Sequence, residues 1–153
     1  MSTGKITFRK AIKEDVPFLK EAIIAAEKSG ADKLSYSLMF NISEERFKEL
    51  FEKILLEEFP GSDFYYGDYV LAVDDKKPIG AIAAWVEKEG NRSSSRIKAA
   101  LLMHYLGINN WLKSKENIEL VSEINIEREP GALQIESVYV KKEYRGKKLT
   151  KGM

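Results

Sequence analysis

Apolar positions in this chain repeat with two different spacings, and the order of these segments predicts the fold. A spacing of two residues predicts a first strand at Ile6 to Ala11 and a hairpin formed by Tyr69 to Val73 and Ile79 to Val86. β-Branched and aromatic residues between Gln134 and Val140, directly after a Pro-Gly turn, predict a last strand. The strands therefore lie at the beginning, the middle and the end of the chain.

Apolar residues at helical spacing predict helices between the strands. Asp15 is the candidate N-cap of a first helix that ends at Gly30, and Ser43 is the candidate N-cap of a second helix that ends at Pro60. A helical insertion is predicted over residues 88–131. Its helices are expected at Arg96 to Leu106, Asn109 to Lys115 and Glu119 to Ile126, and the last of these is ambiguous with a strand.

Composition narrows the range of functions. The 153 residues suit a single domain, and 44% hydrophobic with 32% charged residues is ordinary for a globular protein. The net charge of +1 gives no overall indication of a nucleic-acid or membrane partner. Zero Cys and one His exclude a disulfide framework, a thiolate or multi-His metal site and a Cys nucleophile, so no metal is expected. The sequence contains no signal-peptide or membrane-spanning pattern, and a cytoplasmic location is expected.

The segment after the last strand carries the strongest candidate chemistry. Tyr144-Arg145-Gly146-Lys147 places two cations around a flexible Gly, and a helix expected from about Leu149 would direct its first N–H groups to the same place. This combination suits a phosphate-bearing ligand. A hairpin turn with solvated lysines is one alternative. Nucleic-acid binding by the cations between Lys141 and Lys151 is another.

This strand and loop resemble the acetyl-CoA-binding motif of the GCN5-related N-acetyltransferase (GNAT) superfamily, a strand followed by [Q/R]-x-x-G-x-[G/A] and a helix. Arg145 matches the first position, whereas Lys148 replaces the Gly and Thr150 replaces the Gly or Ala. Small residues there let backbone N–H groups approach a pyrophosphate closely. We therefore expect weakened or redistributed cofactor contacts, and a conformational cost if Lys148 has a positive φ.

The resemblance implies an α+β fold with a mixed, mostly antiparallel sheet flanked by helices. The predicted order of elements corresponds to the first half to two-thirds of that fold, so the C-terminal portion is expected to be missing and this chain alone to be inactive. The insertion at 88–131 is expected either to shape the acceptor site or to form a helical pad over the sheet. The exposed edge of the last strand is expected to self-associate or to pair with a separate C-terminal piece.

The resemblance also implies the site residues. The backbone of Val138, Tyr139 and Val140 would pair with the pantetheine arm of acetyl-CoA. Glu136 is the candidate general base: its even spacing places it on one face with Val138 and Val140, where apolar neighbours would strengthen it as a base. The alternative is that Glu136 is simply an exposed carboxylate on the strand. The acid that protonates the leaving thiolate is expected beyond Met153. The pyrophosphate would lie against the loop residues Arg145, Gly146, Lys147, Lys148, Leu149, Thr150 and Lys151.

The predicted function is N-acetyl transfer from acetyl-CoA to a primary amine of an unknown acceptor. Transfer would occur by direct attack in a ternary complex, without a covalent intermediate. The partners would be acetyl-CoA and the amine, with no nucleic acid and no membrane. One alternative is a degenerate or truncated fold that binds CoA weakly or serves as an interaction module. A less favoured alternative is a nucleic-acid-binding domain.

Overall fold

The computed structural model describes residues 4–88, 91–123 and 126–153. It contains a four-stranded antiparallel sheet with helices packed against it. The strands, in their order across the sheet, are β1 (Thr7–Lys10), β2 (Tyr69–Asp74), β3 (Lys77–Val86) and β4 (Leu133–Val140). The helices are α1 (Val16–Glu27), α2 (Ser35–Phe40), α3 (Glu44–Leu55), α4 (Ser94–Leu106), α5 (Ile108–Lys113) and α6 (Lys115–Glu123). Short 3-10 turns lie at Lys13–Asp15, Tyr66–Asp68, Lys142–Tyr144 and Leu149–Lys151. This confirms the predicted α+β class. Every strand pair in the described residues is antiparallel, so the parallel part of a mixed sheet has no counterpart there.

The first long helices begin where the sequence predicts and end earlier. The Ser43 hydroxyl accepts a hydrogen bond from the Arg46 N–H at 3.1 Å, which caps α3 as expected. The α3 helix ends at Leu55, before the predicted stop at Pro60. Likewise α1 ends at Glu27 and continues as a tight turn to Gly30, whose φ is +82°. The short helix α2 was not predicted, since its six residues form a helical segment too short for a clear period.

The helices between β3 and β4 differ from the prediction mainly in their bounds. The Ser93 hydroxyl accepts a hydrogen bond from the Arg96 N–H at 3.3 Å, so α4 begins two residues earlier than expected and ends before Gly107, as expected. The α6 helix begins at Lys115 rather than Glu119. Residues 124 and 125 of the predicted last helix lie outside the described residues, and Ile126 is not helical.

The core lies mainly between the helices and one face of the sheet. Phe51 packs edge-on against Phe64 at 4.9 Å between ring centroids, and both side chains are almost fully buried. On the opposite face a small cluster forms from Ala72, Ile79 and Leu149. The chain after β4 therefore covers this second face with its own buried leucine. Among the described residues no helix is both long enough and apolar enough to span a bilayer.

Two β-bulges change the alternation of side chains in the sheet. Tyr139 pairs with Ala81 and Glu136 pairs with Ala83, so β4 contains one more residue than the matching stretch of β3. Ser137 lies in this bulge with a φ of +52°. The second bulge lies in the β2–β3 pairing. The bulge in β4 decides which residues of that strand face the helices.

Candidate functional site at the end of the fourth strand

The bulge at Ser137 overturns the predicted orientation of Glu136. Ala81 and Ala83 lie two residues apart in β3 and therefore face the same side, so their partners Tyr139 and Glu136 also share a side. Val140 packs on the opposite side, against the cluster that contains Leu149. The prediction that Glu136, Val138 and Val140 share one face is therefore wrong, because simple alternation ignores the extra residue.

Glu136 faces the helices among cations rather than among apolar side chains. Its carboxylate accepts hydrogen bonds from the Arg128 guanidinium, one of them from Nε at 3.1 Å. The ammonium of Lys98, from α4, lies 3.9 Å from the other carboxylate oxygen. Glu136 remains partly accessible, with 28% of its side chain exposed. It is thus a paired, partly exposed carboxylate at the bulge, and the expected apolar surroundings are not present.

Asp63 connects this carboxylate to the core. The Lys98 ammonium lies 2.9 Å from Asp63 Oδ1, and the two side chains are 16% and 3% exposed, respectively. The Ser137 hydroxyl donates to Asp63 Oδ2 at 3.1 Å, and the Tyr69 hydroxyl donates to the Asp63 carbonyl at 2.7 Å. The ammonium also lies 4.8 Å from the centre of the Phe64 ring. A buried ion pair and a serine in the bulge are therefore joined in one network.

The network alters the protonation of its members. Burial alone would lower the pKa of Lys98, but interactions with Tyr36, Asp63 and Glu136 outweigh it and raise that pKa above its ordinary value. Burial raises the pKa of Glu27, although the Lys98 ammonium partly opposes this shift. Burial also raises the pKa of Tyr36 to about 12. Lys98 is therefore a permanent cation at neutral pH, and the Tyr36 hydroxyl keeps its proton.

Sequence reasoning missed most of this network. Asp63, Lys98 and Arg128 come from a loop, a helix and the approach to β4, so no local motif contains them. Two signals were present in the sequence: a lysine beside Ile97 on an otherwise apolar helix face, and an acid directly before the aromatic residues 64–66. Neither signal indicates that the two charges meet.

The outer edge of β4 presents backbone groups to solvent. The Lys141 N–H donates to the Ile79 carbonyl at 2.9 Å, so the alternation of an antiparallel ladder directs the N–H and carbonyl of Val140 outward. Arg145 already uses that carbonyl, since its Nε donates to it at 3.1 Å. Val138 is 45% exposed. Among the described strands β4 is an edge of the sheet, and its predicted self-association stays a prediction.

The loop after β4 is anchored at both ends and exposed between them. The Tyr144 hydroxyl donates to Asp74 at 2.8 Å, and Leu149 is only 6% exposed. Backbone N–H groups of residues 146–150 donate to no acceptor among the described residues, so this segment has five consecutive donors without a protein partner there. The exposed cationic side chains of the loop belong to Arg145, Lys147, Lys148 and Lys151.

Backbone conformation in this loop includes two residues with positive φ. Gly146 has a φ of +82°, which glycine adopts without steric cost. Lys148 has a φ of +57° and a ψ of 31°, the left-handed conformation that side chains with a Cβ disfavour. The expected conformational cost at Lys148 is therefore present. The helix expected from about Leu149 is a single 3-10 turn, Leu149–Lys151, within the described residues.

Comparison with known proteins adds information about the fold. No family model matches the chain, and no curated protein matches its sequence. Among solved structures the fold is similar to one described as "The crystal structure of acetyltransferase", with a TM-score of 0.58 and 15% sequence identity. The match covers 95% of this chain and 69% of that one. The chain has an acetyltransferase-like fold. At this identity the similarity concerns the fold alone, and it agrees with the resemblance noted in the sequence.

Proposed function

We propose that the protein transfers an acyl group from acyl-CoA, with acetyl-CoA as the simplest donor, to a primary amine. The observation that carries the proposal is the loop 144–151, which follows an exposed strand edge and combines exposed cations with five consecutive N–H groups that have no acceptor among the described residues. Consecutive N–H donors beside cations suit a pyrophosphate. The exposed edge suits an extended, amide-containing chain. The acetyltransferase-like fold supports this combination.

In the proposed complex the pantetheine arm extends along β4 from the loop toward the bulge. Its amides would meet the outward backbone groups of Val140 and pass beside Val138, whereas the predicted contact with the Tyr139 backbone is not available, because Tyr139 pairs with Ala81 of β3. The Val140 carbonyl is already bonded to Arg145, so the arm must displace that guanidinium or use the neighbouring groups. Displacement would leave Arg145 available to the phosphates, which is consistent with its proposed role.

Acyl transfer requires the acceptor as a neutral amine rather than as an ammonium ion. The amine nitrogen attacks the thioester carbonyl, the C–N bond forms, the C–S bond breaks and the thiolate takes up a proton. We assign proton acceptance from the amine to Glu136, directly or through a water, because its carboxylate is partly exposed at the bulge. Arg128 and Lys98 would hold that carboxylate in position. The group that protonates the thiolate is not assigned.

One observation favours a second candidate, a CoA-binding module without catalysis. Glu136 is engaged by two cations, and a base must release such partners, or share them, before it accepts a proton. The strain at Lys148 would also weaken cofactor binding. Binding and turnover must therefore be measured separately.

Thermal unfolding with millimolar acetyl-CoA tests binding. We expect stabilisation, and Arg145→Ala with Lys147→Ala should reduce it by about 1.5–3 kcal/mol, the contribution of hydrogen bonds to charged groups. The control variant, Lys33→Ala with Lys113→Ala, removes two exposed lysines elsewhere and should keep the full effect. Absence of any shift with folded protein contradicts the proposal. If RNA stabilises the protein as acetyl-CoA does, and 200 mM salt abolishes both thermal shifts, nucleic-acid binding is supported instead.

Thiol release with a panel of primary amines tests turnover. Glu136→Gln should lower the rate by roughly 10²–10⁴ while acetyl-CoA stabilises the variant as it does the parent protein. CoA binding without thiol release from any amine supports the module without catalysis. A pH–rate profile that Glu136→Gln leaves unchanged removes Glu136 from the role of base.

A further inference from the structure

A groove on another part of the molecule lies along the outer side of α4. Its volume is about 530 Å³, within the range of small-ligand sites. The apolar part of its lining comes from Phe59, Ile97, Ala100 and Leu101. Phe59 is 44% exposed and contributes an accessible aromatic surface to the groove. The groove shares no lining residue with the loop 144–151.

The polar part of the same lining is entirely basic. It consists of Arg92, Arg96 and His104, and no acidic residue among those described lines the groove. Arg96, Ala100 and His104 are spaced four residues apart, so they form one ridge along α4. The rim therefore carries two permanent positive charges, from Arg92 and Arg96, beside an imidazole that can donate a hydrogen bond.

Arg92 and Arg96 have no acidic partner among the described residues. Arg9, Arg46 and Arg128 each form an ion pair, whereas Arg92, Arg96 and the loop residue Arg145 form none with any described residue. Arg96 also lies in the first turn of α4, where the helix dipole disfavours a cation. Helix stability therefore does not account for its position.

A second cavity extends the groove toward the sheet. It has a volume of about 690 Å³ and shares Phe59, Arg92 and Ile97 with the first. Trp85 and Leu133 add apolar surface, and its other charged lining residues are Lys10 and Asp68. An extended apolar body could therefore continue from α4 onto the start of β4. The charged end of such a ligand would remain at the basic rim.

We propose that this groove binds an amphipathic anion, an aliphatic or aromatic body that carries one carboxylate or sulfonate. Apolar walls favour the body through burial of its surface. The unpaired guanidinium groups of Arg92 and Arg96 favour the anionic end through bidentate hydrogen bonds. The same rim repels a cationic amphiphile of equal length, so the charge of the ligand decides binding. This site is independent of the proposed acyl transfer.

The test uses 8-anilinonaphthalene-1-sulfonate as a fluorescent probe, with decanoate and decylammonium as competitors. Decanoate should displace the probe, and decylammonium, which has the same chain length, should not. Arg92→Gln with Arg96→Gln should raise the apparent Kd for decanoate about tenfold or more. Lys33→Gln with Lys113→Gln removes the same charge from other exposed positions and should leave that Kd unchanged.

A second variant tests the walls of the groove rather than its charge. Ala100→Glu places a carboxylate in the groove at an exposed helical position, so the fold should persist and probe binding should be lost. Circular dichroism verifies the fold of each variant. Equal displacement by both competitors, unchanged binding in the double arginine variant, or no probe binding to the parent protein overturns the proposal.

Discussion

The ion pair between Lys98 and Asp63 should be the most sensitive polar contact of the fold. Asp63 is 3% exposed and its Oδ1 lies 2.9 Å from the Lys98 ammonium. At that distance and an effective dielectric constant of about 20, the attraction is about 6 kcal/mol before the cost of removing both charges from water. Lys98→Met keeps much of the side-chain volume but leaves the carboxylate buried without its cation. Removal of one partner of such a pair costs about 3–5 kcal/mol, a large part of a typical stability of about 5–15 kcal/mol.

Urea unfolding followed by circular dichroism measures this cost. With a slope of about 2 kcal/mol per molar urea, the midpoint of Lys98→Met should fall by about 1.5–2.5 M. The control is Lys48→Met, because Lys48 pairs with Glu44 at 3.2 Å on the exposed side of α3. A surface pair of this kind contributes about 0–1 kcal/mol, so the control midpoint should hardly move.

A double variant separates the charge from the packing. Lys98→Met with Asp63→Asn removes both charges, and the asparagine can still accept the hydrogen bond from Ser137. We expect the double variant to recover to within about 2 kcal/mol of the parent protein, with a coupling energy of at least about 2 kcal/mol. If the double variant is no more stable than Lys98→Met, or if Lys98→Met resembles the surface control, the buried pair does not have the assigned role.

Three further predictions concern local contacts. Lys148→Gly should stabilise the protein by about 0.5–1 kcal/mol in thermal unfolding, because φ is +57° there. The control Lys147→Gly should destabilise it by a similar amount. A change of the same sign in both variants contradicts the backbone strain assigned to Lys148. Burial alone would raise the pKa of Asp15, but the hydrogen bonds from Arg9 and from the Ile12 N–H outweigh it and lower that pKa. The pair thus contributes stability above the unperturbed value of 3.8 that is lost as pH falls through the lowered pKa, and Asp15→Asn should abolish this acid-dependent loss in urea titrations between pH 5 and 2. Finally, Ser43→Ala should cost about 1 kcal/mol in urea unfolding, because it removes the cap of α3, and a cost near zero contradicts the capping role.

Local sequence determined the elements and several of their ends. Period-two segments became β1, β2 and β3, and the turn after Val73 became the hairpin, because side-chain alternation and turn residues act over a few positions. The Ser43 cap was predictable for the same reason. The cationic loop after β4 was visible as a motif. Its left-handed residue, Lys148, occupies the position where the resembled motif has a glycine.

The tertiary structure decided the candidate site. One extra residue at Ser137 turned Glu136 to the side of Tyr139, and an insertion in a strand becomes visible only when the partner strand supplies the register. Packing of α4 on the core then brought Lys98 to Asp63 and Glu136. These contacts join residues far apart in the chain, and their energies depend on burial, which no local pattern encodes. Sequence period and capping thus determined the elements and the loop, whereas strand register and long-range packing determined which charges meet.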